Sequence, residues 1–415
     1  MKILTAYILF TVLFMICHVS FSYGSENLSE IQFINGKVTD ERGFPVPFIK
    51  VITGKSETQT DFSGKFTFMS ISAPYDIILA ERFSSTAVVY KNLTVSNPNL
   101  TFFGELEDNY SNFIKLKIRF PKLQPGESGI IKFISQDIFK SSESVVKEGD
   151  SSVSFNVKWP MYQNVMKGQI VYITKNDSGY RYIKFRELIL DKFKNSQELK
   201  FDSKPGTKLS TSKLNIYFPD EYYFTKDFSV STDLFNYDKN SGIKFYENES
   251  SENQFRISVP DNLPLTFKLR ITGFAKRKDG TEFLNTSYAS PGNNLKIESE
   301  TSPELLTPSN NLLSVDGNTR FSYSNGSGTG IYVVEFRSKD PSMRFFIVTD
   351  RNETYLNYLS RNEFSNGSIQ FEWSVRKFLT YFNVDEFVKP PVFKNDFAYK
   401  AVMISSKRYF KTGFY

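Results

Sequence analysis

A chain of 415 residues has room for two to four domains at roughly 100–200 residues each. Its 42 Phe and 23 Tyr suit pleated, half-buried surfaces better than helices, and a 40 % hydrophobic content excludes global disorder. The 51 basic and 45 acidic residues leave a net charge of +6, and no Lys/Arg block stands out, so the clustered basic footprint of a nucleic-acid binder is missing.

Lys2 gives a minimal positive start, Ile3 to Cys17 is nearly all apolar, and the small residues Ser20, Ser22, Gly24 and Ser25 follow. An apolar core of about 15 residues is short for a membrane span of roughly 20, so residues 1–24 read as a signal peptide cleaved after Ser22 or Gly24. Two other readings of this segment stay open: an uncleaved N-terminal anchor, since no later run of 18 apolar residues offers a membrane-spanning helix, and a lipidated Cys17. The "LFMI" before Cys17 is a poor match to the second, because a lipid-attachment site usually carries a small residue there. Cys17 and His18 are the sole Cys and His. Without the leader, disulfides, thiolate nucleophiles, imidazole bases and Cys/His zinc sites are all excluded.

Residues 28–121 show strands cut by turns. "ERGFPVP" supplies Gly43, Pro45 and Pro47 for a bend, "FIKVIT" is β-branched, and "TDFSGKFTF" closes a turn at Asp61 and Gly64 before Phe66 and Phe68. "FIKLKIRFP" puts Ile114, Leu116, Ile118 and Phe120 on one side and Lys115, Lys117 and Arg119 on the other. Asp40 and Asp61 read as turn stabilisers through their own backbone rather than as cation ligands. Residues 122–205 continue with "VSFNVKW" and "GQIVYIT", whereas "RELILDKFKN" fits a short helix or a strand. Residues 206–300 hold "QFRISVP", then "LTFKLRITGF" with Leu265, Phe267, Leu269 and Ile271 on one face, and a hairpin signal at Asp279-Gly280. Residues 301–415 give "TRFSYSNGSGTGIYVVEF", a strand, a flexible Gly-rich loop and a strand. There "IQFEWSV" aligns Ile369, Phe371, Trp373 and Val375, and "VRKFLTYF" has the spacing of a short helix. The expected architecture is therefore all-β, a tandem of β-sandwiches.

Two stretches carry a resemblance. G-x-V-x-D-x-x-G-x-P from Gly36 to Pro45, followed by T-D-x-x-G-x-F from Thr60 to Phe66, looks like the carboxypeptidase regulatory-like domain. That resemblance implies a transthyretin-like sandwich and no activity of its own. Phe48-Ile49 replaces the family's usual Gly-Ala, which alters packing at the strand start. The Pro-led start at 302–308, "RFSYS", "GIYVVEF" and "IQFEWSV" look like a fibronectin type III-like domain at 301–390, with Tyr323 in place of the usual Trp.

Motifs for chemistry are sparse. There is no G-x-x-x-x-G-K-[ST] and no G-x-S-x-G. Acids near aromatics in "DEYYFTKD" and "DLFNYDKNSG" leave a carboxylate-dependent hydrolase as one reading. Trp159, before Pro160 near a strand end, is the one candidate ligand-binding residue, since a ring on a sandwich rim stacks on sugars; the core is its other place. Trp373, mid-strand, belongs in the core. The sequence points to an exported bacterial protein of the periplasm or cell surface without cofactor or metal. Its expected role is non-enzymatic binding, adhesion or scaffolding toward a protein or glycan. Carbohydrate-binding accessory protein is the alternative within that class.

Overall fold

Side chains that alternate apolar and polar commit a strand to burying one face, and most of this chain does so against a second sheet. The computed structural model of the protein describes residues 31–41, 45–81, 85–104, 111–135, 142–160, 163–202, 206–219, 224–233, 243–250, 252–263, 268–290, 292–297, 300–339, 342–356, 369–379, 381–389 and 399–413. The leader with Cys17 and His18, the bend residue Gly43, and Leu265 and Phe267 lie outside the described residues. The fold is all-β, as the alternation requires, with sheets packed in layers around four apolar cores.

The first core lies between two layers. One is a three-stranded sheet ordered Lys65–Ser72, Ile31–Asp40, Asn99–Phe102; the other contains Lys50–Thr53, Tyr75–Ala80 and Ser85–Leu93. Ile34, Val38, Phe66, Phe68, Ile77 and Leu79 fill the space between them. Phe66 also explains Gly36: a Cβ there would sit 2.1 Å from the Phe66 ring, so only glycine lets that ring lie across the neighbouring strand.

The second core sits between the sheet Ser152–Pro160, Ser111–Arg119, Ser196–Lys200 and a five-stranded sheet built on Val165–Asn176 and Gly179–Asp191. The alternating strand Ser111–Arg119, read from sequence with residues 28–121, pairs with Ser152–Pro160 and Ser196–Lys200 and puts Ile114, Leu116 and Ile118 into this second core. Its alternation would satisfy any sandwich, so adjacency in sequence was a poor guide to its partner. "RELILD" is strand, the end of Gly179–Asp191.

The third core packs Ser210–Tyr217 and Gln254–Asp261 against Lys268–Lys276 and Glu282–Ala289, and takes Ile134, Val171 and Ile173 from the second unit. The hairpin at Asp279-Gly280 forms as expected: Gly280 has φ +87° and Asp279 Oδ1 accepts from Thr281 N at 2.9 Å and Thr281 Oγ1 at 2.8 Å. The fourth core packs Leu305–Thr307, Arg320–Tyr323 and Glu353–Tyr355 against Gly330–Lys339, Ser342–Thr349 and Gln370–Leu379.

These sandwiches are not separate beads. One 14-stranded sheet runs through the first, fourth and third units. Ser85–Leu93 pairs in parallel with Ser342–Thr349, from Ser85 opposite Met343 to Tyr90 opposite Val348. Glu282–Ala289 pairs antiparallel with Tyr399–Ile404, so the last part of the chain closes against the third unit. Along the middle of this sheet both faces are covered. Val88, Tyr90, Ile331, Val333, Phe346 and Val348 enter the first core. Val89, Tyr332, Val334, Phe345 and Ile347 enter the fourth.

The same two-sided burial overturns one expectation. "VRKFLTYF" is not helical: Gln370–Leu379 remains a strand, with Phe378 against the first core and Leu379 in the third, and apolar residues on both faces mimic helical spacing. Val384–Val388 is a single turn of helix, capped by Asn383 Oδ1 accepting from Glu386 N at 2.9 Å. Among the described residues no helix is long and apolar enough to cross a membrane.

Candidate functional site

Where the first sandwich stops covering the shared sheet, the same face turns from apolar to charged. Val333 and Phe346 are buried beneath the first unit, and Glu335, Arg337 and Arg344 come next along those strands. They line an open cleft of about 280 Å³ with Glu372, Arg376 and Lys407; Lys276 and Glu282 close it from the third unit's hairpin.

The electrostatics follow from register. Arg337 stands opposite Arg344 on one neighbour and opposite Glu372 on the other. Two like charges face to face repel, so the arrangement needs carboxylates between its cations. Glu335 provides one: Oε1 accepts from Arg344 Nη2 at 2.8 Å, and Oε2 from Arg376 Nη2 at 2.8 Å. Arg376 also reaches Glu41 of the first unit at 3.4 Å. Lys407 pairs with Glu372 at 3.0 Å and Lys276 with Glu282 at 2.7 Å. Burial tends to raise the Glu335 carboxyl, but the charges and hydrogen bonds of Arg376 and Arg344 outweigh it and hold the group below the ordinary glutamate value. Each carboxylate of the cleft faces a cation. Five cations to three carboxylates leave the cleft net positive. An acid catalyst needs a carboxyl raised toward neutrality. Glu335 is displaced the other way.

A second polar device lies across the sheet. The Gly-rich loop after Tyr323, read as flexible, is pinned by buried Lys377. Its ammonium donates to the carbonyls of Asn325 at 2.7 Å, Ser327 at 2.7 Å and Gly328 at 2.5 Å, beside the Tyr332 ring. Burial lowers the Lys377 pKa while the Glu300 charge opposes that shift.

No protein-family model matches the sequence, and neither does any curated protein. Among solved structures the chain is similar to the TIE protein of Bacillus anthracis, at 9 % identity and TM-score 0.16, covering 64 % of this chain and 50 % of that one. It thus spans half the length of that protein. A tetra-tandem repeat from the extending region of a large adhesion protein gives 6 % identity and TM-score 0.18, over 92 % of this chain and 100 % of that one. BcpA, the major pilin subunit of Bacillus cereus, gives 9 % and 0.15, over 65 % and 98 %. At such low TM-scores, the assignment to layered all-β sandwiches rests on the sheets themselves.

The residues singled out by sequence fare differently. Trp159, the candidate ligand-binding residue for which the sequence leaves rim and core both open, takes the core reading: it is fully buried in the second core, and its indole N–H donates to Gln163 O at 3.0 Å. Its strand turns the ring inward with Val157, so no ring face is open to a ligand. Trp373 is core, packed edge-on to Phe321 at 5.1 Å and stacked with Phe336 at 6.3 Å. Asp61 organises its turn, with Oδ1 accepting from Ser63 N, Ser63 Oγ and Lys65 N. The acid-rich stretches at 220–227 and 233–242 fall outside the described residues or on Phe224–Asp233, a strand described by its backbone alone. The cleft itself went unread, because its residues come from strands scattered over more than a hundred positions. Its one signal is a charge interrupting an apolar run: Glu335 in "IYVVEF", Arg344 in "MRFFIV" and Arg376 in "WSVRKF".

Proposed function

We propose that the protein is a non-enzymatic binding or scaffold module, exported through its N-terminal segment and stationed at a bacterial cell envelope. The observation that carries this reading is the shared sheet, which interlocks the first, fourth and third sandwiches and holds their outer surfaces at fixed spacing. The cleft supports it further: its carboxylates clamp strands together, and the guanidinium groups of Arg376 and Arg344 hold the Glu335 carboxyl below the ordinary glutamate value. In this reading the first sandwich is a carboxypeptidase regulatory-like domain and the last a fibronectin type III-like one, both serving as spacers. The partner is a protein or glycan of the envelope.

The test is retention against turnover. Purified protein lacking residues 1–24 is incubated with envelope fractions from its producing organism, and both binding and released products are followed. The expected result is saturable retention without product, unchanged in a Glu335→Gln, Glu372→Gln double variant. Product release that this double variant abolishes would establish a carboxylate-dependent hydrolase instead.

A further inference from the structure

We propose that the outward face of the sheet Ser152–Pro160, Ser111–Arg119, Ser196–Lys200 docks an acidic polysaccharide. The inference rests on the binding role above and names its partner class. The inward residues Ile114, Leu116, Ile118, Val157 and Leu199 hold the second core, so the opposite face points to solvent. That face is strongly cationic: on these three strands Lys115, Lys117, Arg119, Lys158 and Lys200 lie on it, and among the described residues of the strands Glu198 is the carboxylate that shares it. Lys117 is partly covered; the other four cations are exposed. Strand geometry spaces the charges about 7 Å apart along a strand and about 5 Å between strands, forming a flat positive grid.

Three details favour a glycan over other polyanions. Phe113, 65 % exposed, stands directly opposite Lys158 and gives the grid one apolar ring on which a sugar face can stack. The positions between the cations are Ser152, Ser154, Asn156 and Ser196, short neutral donors and acceptors suited to hydroxyl groups. A bilayer surface would call for several apolar side chains to insert, whereas this face has one. Glu198 sets the grid's strength from within. Its carboxylate holds Arg119 Nε at 2.6 Å and lies 3.9 Å from Lys117 Nζ, competing with any incoming anion.

Binding is measured by biolayer interferometry to immobilised polygalacturonate. Neutral dextran, phosphatidylglycerol–phosphatidylcholine vesicles and single-stranded DNA serve as comparison probes. The expected result is binding to polygalacturonate that weakens steeply with ionic strength, since exposed charges are screened. Lys115→Glu with Lys158→Glu raises Kd by about tenfold or more. Phe113→Ala raises it by roughly threefold to tenfold with an unchanged salt dependence. Glu198→Gln lowers it, a gain that general loss of folding cannot produce. All of these side chains are exposed, and unchanged thermal melting verifies that the variants fold. Equal binding to dextran, tighter binding to vesicles or DNA, or indifference to the charge reversals overturns the proposal. Loss of all retention on envelope fractions would instead sink the broader binding role; retention that ignores the charge reversals would leave that role standing and remove this face.

Discussion

Glu335 and Trp373 show how single side chains meet opposite demands inside the shared sheet. Glu335 sits between two guanidinium groups with little solvent access, and its carboxyl is held below the ordinary value of 4.5. A carboxyl whose pKa is depressed by folding contributes stability that is complete above its unfolded value. That contribution disappears as pH falls through the lower folded value. Urea midpoints measured from pH 7 downward should therefore fall below pH 4.5 in the native protein, and part of that fall should vanish in Glu335→Gln. At neutral pH the same substitution should cost about 2 kcal/mol, because two arginines lose a charged acceptor. Trp373 is 1 % exposed, and its indole N–H has no hydrogen-bond partner among the described residues. Replacing it by alanine should cost about 3–5 kcal/mol through the cavity left among Phe321, Phe336 and Phe410. Trp373→Phe should cost less than half as much, since no hydrogen bond is lost; equilibrium unfolding of the pair decides this.

At the scale of strands, Ser85–Leu93 and Ser342–Thr349 tie two cores to one another. Phe346 belongs to the first core, where it lies 5.5 Å from Phe103, while its neighbours Phe345 and Ile347 belong to the fourth. Phe346→Ala should cost about 3–5 kcal/mol, and both units should feel it. Hydrogen exchange checks this: amides at 86–90 and 343–348 should open with one common free energy, and that value should drop together in the variant. Separate opening energies would mean that the joint is weak. These strands also mark the limit of what was legible. Alternation in "KFTF", "FIKLKIRF" and "QFEWSV" reveals sheets with one wet face, and the fold class follows from it. "AVVY", "IYVV" and "FFIV" are apolar without a break, which is what burial on both faces looks like. The chain says that such strands are central; it does not say which remote strand lies beside them. For the same reason the cleft's charges could be seen only as oddities within apolar runs, while their mutual pairing needed the register. For Trp159 a position near a strand end leaves rim and core both open, because it does not reveal which way the ring turns.

For the molecule as a whole, the interlocked sheet ties the apolar cores of the described residues to one another. The second unit joins the third through Ile134, Val171 and Ile173, so all four units share apolar contacts with a neighbour. A structure joined in this way should unfold in fewer calorimetric transitions than it has cores, and those transitions should not be assignable to single sandwiches. The parallel joint also has a consequence for biogenesis. Ser85–Leu93 leaves the ribosome about 250 residues ahead of Ser342–Thr349, a delay of roughly ten seconds to a minute at ordinary synthesis rates. Throughout that interval the nascent first sandwich carries an open strand margin with its destined neighbour still unmade, and any stray strand from another polypeptide competes for the vacancy.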